Sequence, residues 1–480
     1  MANSTTVDMP SDGQYPISIP TSSIDATFST TATNLTTTAL NASILACSDE
    51  YFAPAINLLN PSPPVRKPGV YVHTGAWYDG WETRRHNPQP FDWVVVKLGC
   101  VAIVDGVEID TAHFNGNEAP AVSLEGSYSE EDTLREGQQN ESGVELDRWQ
   151  EILPISPCGP NQRQAWRVAG HGSSRNTSSS GRTGGQRGYT HLRLKMYPDG
   201  GIARLKVYGH ALPPPCLALS SKQAQAMLTD PNSLEQEQKD SPREFVEEIS
   251  AALNGGTAIA CSDQHFGHMS NLLLPGRGKD MGDGWETARS RQKDHVDWVI
   301  CRLGLPAHAG AVDHIVVDTK DFRGNFPQRI KVEGWFTPRV KIGRDEDDDE
   351  NGYDLRKIPS LRESQNPPAD SPSWTDILGG ERSCQPDTEH VFSDMDFAEP
   401  RSSPSSSELT PEQERALQQE LRQQMQLQLQ PQLLRARQRE TLPNGLSLIP
   451  SDLPWILTHV KLTIIPDGGV KRLRVFGTRA

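Results

Sequence analysis

One short stretch occurs twice, and that duplication constrains the fold more than any other feature. The first copy reads Asp79-Gly80-Trp81-Glu82-Thr83-Arg84, the second Asp283-Gly284-Trp285-Glu286-Thr287-Ala288-Arg289. Each leads into Asp-Trp-Val and an apolar run ending in Leu-Gly, at Asp92 to Gly99 and Asp297 to Gly304. Shared identities that include tryptophan, a rare residue, are improbable by chance and mark an internal repeat.

Further blocks match in order. Val107 to Asn117 corresponds to Ile315 to Asn325, a strand leading into a polar turn whose glycine is expected at positive φ. Alternating strands follow, ending in Glu125-Gly126 and Glu333-Gly334. The last block is a hairpin. Leu192, Leu194 and Met196 share one face, Pro198-Asp199-Gly200-Gly201 turns the chain, and Leu205 and Val207 resume that face. Its second copy turns at Pro466-Asp467-Gly468-Gly469. The offset between copies grows from 204 residues at Asp79 and Asp283 to 268 at Asp199 and Asp467, so the second copy carries more insertion.

Many short strands, Gly/Pro turns and few helices predict an all-β protein of two tandem sandwich domains, with connections long enough for jelly rolls. The expected organisation is a flexible Ser/Thr-rich leader over 1–40, repeat 1 over 41–212, a linker over 213–254 and repeat 2 over 255–480. A helix near residues 241–249 is expected to pack between the domains. The low-complexity segment at about 394–445 holds a Gln-rich helical stretch starting at Thr410-Pro411. This segment, the Ser/Gly/Arg-rich 170–188 and the acidic 343–352 read as insertions dispensable for the core, and 170–188 and 402–440 are expected to lie outside the catalytic core.

Composition narrows the function classes. Mean hydropathy is -0.58 over 480 residues, so part of the chain is polar insertion rather than core. A net charge of -15 argues against a nucleic-acid partner. No run reaches the ~18 apolar residues of a membrane span, and no secretory signal is evident. Seven scattered cysteines fit a reducing compartment, so a cytoplasmic protein is expected.

The polar residues present in both copies form the candidate site. Asp199 and Asp467 are explained by the turn, and Asp110 and Asp318 fit strand-end hydrogen bonding. Glu82 and Glu286 are different, because turn chemistry does not require a glutamate there; proton transfer or an Arg clamp with Arg84 or Arg289 would. His191 and His459 open strands, where a structural hydrogen bond competes with catalysis. Two motifs are set aside. His265-Phe266-Gly267-His268 lacks metal-ligand spacing and has no histidine in the first copy. Gly276-Arg277-Gly278-Lys279 lacks the ending of a phosphate loop. No metal or other cofactor is expected.

With Asp79 to His86, Asp110 to Phe114 with Gly116-Asn117, Met281 to Arg289 and both Pro-Asp-Gly-Gly turns, the sequence resembles the allantoicase family. The resemblance implies two jelly-roll domains similar to galactose-binding modules, and hydrolysis of allantoate to ureidoglycolate and urea. On that reading, the candidate catalytic residues are Glu82, Glu286, His113, His191 and His459. The candidate substrate-binding residues are Arg84, Arg85, Asn117, Glu125, Arg289, Asn325 and Glu333. A homo-oligomer is expected. The rival class is a carbohydrate-binding jelly roll, which would need exposed aromatic platforms; Trp81, Trp93, Trp285 and Trp298 read instead as core.

Overall fold

The computed structural model describes residues 15–129, 149–171, 188–213, 246–338, 367–397 and 455–479. Each repeat is built on one unusually long strand. In repeat 1, β1 (Ser43–Cys47), β2 (Asp92–Asp110), β3 (Ala121–Ser127), β4 (Arg163–His171), β5 (Tyr189–Tyr197) and β6 (Arg204–Leu212) carry the architecture. The first part of β2 pairs with β1 and β5, and β5 pairs on with β3. The second part pairs with β4 and β6. One strand thus passes from one layer of the sandwich to the other.

Repeat 2 does the same with β7 (Thr257–Cys261), β8 (Asp297–Asp318), β9 (Arg329–Pro338), β10 (Glu389–Ser393), β11 (Trp455–Ile465) and β12 (Arg472–Arg479). Strand β8 pairs with β7 and β11 at its start and with β10 and β12 at its end. The chain is therefore two all-β jelly-roll sandwiches in tandem.

The alternation read from sequence sets the core. Leu192, Leu194, Met196, Leu205 and Val207 are fully buried, as are Val460, Leu462, Ile464, Leu473 and Val475. Trp81 and Trp285 are likewise fully buried. Trp93 instead joins a small cluster on the outer sheet face with Val95, Phe91 and Trp149. Trp298 is only half-buried, beside Ile300 and Trp374 in the matching outer cluster. The closing turns need their glycines: Gly200 and Gly468 have φ of +148° and +139°, and a Cβ would strike Glu118 O or Asn325 O at 2.6 Å. Gly116 takes the expected positive φ, whereas in the second copy Gly324 does not.

Two expectations are corrected. Residues 15–40 are not a loose leader. Ile17–Ile19 pairs with β4, and Ile24–Phe28 is a short helix whose Phe28 stacks on Tyr208 at 4.4 Å. Leu35 enters the core of repeat 1 and Leu40 that of repeat 2. A few well-spaced apolar residues suffice to order a Ser/Thr-rich segment. The described end of the expected inter-domain helix is not helical: Glu247–Glu248 is a strand paired with β12, and Ile249 enters the repeat 2 core, while 241–245 lie outside the described residues. The expected Gln-rich helix, the acidic run and most of 170–188 lie outside the described residues.

Candidate active site

The site begins with a two-residue strand. Trp81–Glu82 pairs with Gly201–Ile202, so the closing hairpin places its turn beside the glutamate. Trp285–Glu286 pairs with Gly469–Val470 in the same way. Each tryptophan anchors the strand by donating its indole N–H to a backbone carbonyl at 2.8 Å, Asp49 O or Asp263 O.

Asn117 then donates Nδ2 to Glu82 Oε1 at 2.8 Å, and Asn325 makes the same bond to Glu286 at 2.5 Å. Glu82 is 6% exposed, whereas Glu286 is half-buried. Burial holds the Glu82 carboxyl above its usual range, against the opposing pull of Asn117 and the nearby Arg85 charge.

The arginine of the motif is Arg85 rather than Arg84. Arg85 donates to Asp199 Oδ1 at 3.0 Å, and the backbone N–H of His86 donates to Asp199 Oδ2 at 2.8 Å. The second copy repeats this with Arg289, Ser290 and Asp467 at 3.2 and 2.9 Å. Arg289 also donates to Gly324 O at 2.6 Å. Arg84 points elsewhere, 3.6 Å from Asp49 Oδ2 and over the Tyr51 ring, and its counterpart is Ala288. Asp199 and Asp467 therefore do more than form turns: each fixes an arginine and the loop that bears it. The sequence contained this signal, since Arg85 and Arg289 both stand three residues after the repeated glutamate.

His113 lies on the neighbouring loop with φ of +71°, its Nε2 3.3 Å from Pro64 O, and Asp321 occupies the equivalent position at +70°. The remaining candidates form a second group on the outer sheet face. Glu125 accepts from Arg193 and Lys195, both at 2.7 Å, with Trp149 over Arg193. Glu333 bridges Lys331 and Lys461 at 2.8 and 3.1 Å. Burial alone would raise its carboxyl, but the two lysines outweigh it and hold it below the usual range.

His191 and His459 are buried on this face, each with Nδ1 against the preceding threonine hydroxyl. Burial and the Arg302 charge push His459 down to about 3, so it is neutral at pH 7. The strand from His191 to its end at Tyr197, before the turn, spans roughly 20 Å. The structure thus brings Glu82, Arg85 and Asn117 together, and Glu286, Arg289 and Asn325. It leaves Glu125, His191, Glu333 and His459 in a separate setting.

The allantoicase-repeat family model matches residues 33–212, 247–407 and 412–480. The chain belongs to the allantoicase family. It is 40% identical to the allantoicase of Neurospora crassa over 460 residues, covering 95% of this chain and 94% of that protein. Identity to the Saccharomyces cerevisiae allantoicase is 36% over 440 residues, 91% of each. The crystal structure of the S. cerevisiae allantoicase superposes with a TM-score of 0.61 at 33% identity, covering 96% of this chain and 100% of that one. Within this family fold, the fully buried Trp81 and Trp285 offer no aromatic platform to a sugar. No helix among the described residues is long and apolar enough to cross a membrane.

Proposed function

We propose that this chain hydrolyses allantoate to ureidoglycolate and urea, and that the paired Glu–Asn–Arg loops are where it does so. The activity follows from full-length likeness to allantoicases. The carrying observation for the site is that a glutamate, an asparagine and an arginine fixed by aspartate meet at one loop cluster, and do so twice.

Allantoate has one carbon that bears a carboxylate and two ureido groups. Expelling urea breaks one C–N bond and needs a proton on the departing nitrogen. The remaining ureido nitrogen supplies the electron pair, leaving an imine-like carbon. Water then adds there and gives up a proton, so allantoate and water become ureidoglycolate and urea.

A carboxyl kept protonated by burial suits the donor role, and the carboxylate left behind can take the proton back from water. Burial holds the Glu82 carboxyl above its usual range, and Glu286 enters the same hydrogen bond in a more open setting, so these two are the candidates for that role. Arg85 and Arg289 are the cations beside them, and asparagine amides match ureido groups. His113 and the outer-face residues Glu125, His191, Glu333 and His459 stand as the alternative acid–base and binding set.

A cytoplasmic homo-oligomer is part of the same proposal. Among the described residues six cysteines are free thiols, which fits a reducing compartment, and light scattering on the purified chain would read the assembly.

The test is urea release from allantoate by the purified protein. Steady release that is lost when Glu82 and Glu286 are both changed to glutamine supports the reading. An inert wild-type chain removes the activity, and a fully active double variant removes the site.

A further inference from the structure

The two copies of the loop cluster are not equivalent. In the second, Asp280, Met281, Gly282, Asp321 and Arg323 surround an open cavity of about 460 Å³. Their counterparts in the first are Ala76, Trp77, Tyr78, His113 and Asn115. Tyr78 stacks on Phe114 at 4.9 Å, whereas Gly282 sets no side chain beside the equivalent Phe322. The charge pattern of the cavity thus has no match in repeat 1.

A buried lysine underlies the difference. Lys471 is completely buried, and Ala203 is its counterpart. Its ammonium bonds to Asp283, to Asp280 O and, at 3.1 Å, to Asp321 Oδ2. It ties the 280–283 segment to the loop bearing Asp321. In repeat 1 the loop bearing His113 instead reaches Pro64 O, well upstream of the matching 76–79 segment.

The cavity adjoins the catalytic pair. Asn325 Nδ2 lies 3.7 Å from Met281 Sδ while holding Glu286 Oε1. Arg323 is 80% exposed, and among the described residues it meets only Asp387, at 3.6 Å. Around the cavity one guanidinium faces the carboxylates of Asp280 and Asp321. Such a mixture disfavours a polyanion and an uncharged apolar ligand alike. It fits a small molecule with one carboxylate and several N–H donors, which is the chemistry of a ureido acid.

We propose that the second repeat alone binds the ureide. Arg323 takes the carboxylate, Asp280 and Asp321 accept ureido N–H groups, Glu286 acts on the bound molecule, and the first repeat is a closed, non-binding copy. The assignment rests on the allantoate reading. Lys471 is a positioning residue that keeps Asp321 in place.

Three variants of the full chain decide it: Arg323→Ala, Gly282→Tyr, and Asn115→Ala as the control at the matching position of repeat 1. KM and kcat for urea release from allantoate are measured with melting temperature. Losing a charge-assisted contact predicts that Arg323→Ala raises KM about 10- to 100-fold at unchanged melting temperature. Gly282→Tyr should weaken binding at least as much, and Asn115→Ala should leave KM within about twofold, inside the range of a contact-neutral surface change.

Wild-type KM in both Arg323→Ala and Gly282→Tyr would overturn the pocket while leaving the reaction intact, as would an equal effect of Asn115→Ala. Calorimetric titration with allantoate separates the other failure. A chain that releases no urea yet binds allantoate through Arg323 keeps the pocket and loses the reaction; one that does neither loses both.

Discussion

Asn117 donates to Glu82, and Asn325 to Glu286, through one amide–carboxylate bond formed twice, 2.8 Å in the first repeat and 2.5 Å in the second. Each bond joins the Trp-Glu strand to the turn after the long strand. A single oxygen of each carboxylate is thereby oriented, and a proton donor needs that orientation. Both asparagines are half-buried, but Glu82 is buried and Glu286 half-buried, so the two glutamates should answer differently to the same substitution.

Glu286→Gln should lower kcat about 100-fold or more, the usual share of a general acid, with little change in melting temperature. Glu82→Gln should cost far less turnover. Initial rates of urea release at saturating allantoate give the comparison. Equal, small losses in the two variants would take both carboxylates out of the chemistry.

Acid stability should depend on His459. Its folded value of about 3 lies below the ordinary 6.5, so the unfolded chain takes up the proton first as pH falls. Stability is therefore lost as pH drops from about 6.5 toward 3, by at most about 1.4 kcal/mol per pH unit from this group. His459→Leu should flatten that decline. Denaturant unfolding at pH 7 and pH 5 tests it, and parallel pH dependences for the two proteins would count against it.

Lys471→Met should destabilise by about 3–5 kcal/mol, because it removes the buried cation from Asp321 and leaves Asp283 only the more distant Arg472, at 3.9 Å. Adding Asp321→Asn should recover part of the loss. Chemical denaturation of both variants measures it, and full additivity of the two changes would mean that the pair does not interact.

Trp81→Ala should cost about 3–5 kcal/mol, through lost transfer energy and an unfilled cavity. The ring is fully buried and its indole N–H is spent on Asp49 O. An unchanged unfolding midpoint would contradict the packing described.

The amino-acid sequence by itself determined the duplication, the strand faces and the closing turns. These are local properties: alternation places Leu192, Leu194 and Met196 on one face wherever the strand lies, and Pro-Asp-Gly-Gly specifies its own turn. It also singled out Glu82, Asn117, Glu286 and Asn325, because they recur. Only the tertiary structure decided which of the candidates meet. Asp199 holds Arg85 across 114 residues of chain, a pairing fixed by how the hairpin docks on the Trp-Glu strand. His191 and Glu82 both recur in matched blocks, yet an extended strand keeps the histidine away from the turn beside the glutamate, since repetition records descent and not distance. Residues 15–40 show the converse. Their composition suggested a loose leader, but Phe28 and Leu40 find apolar partners in two different repeats, which no window along the chain could reveal.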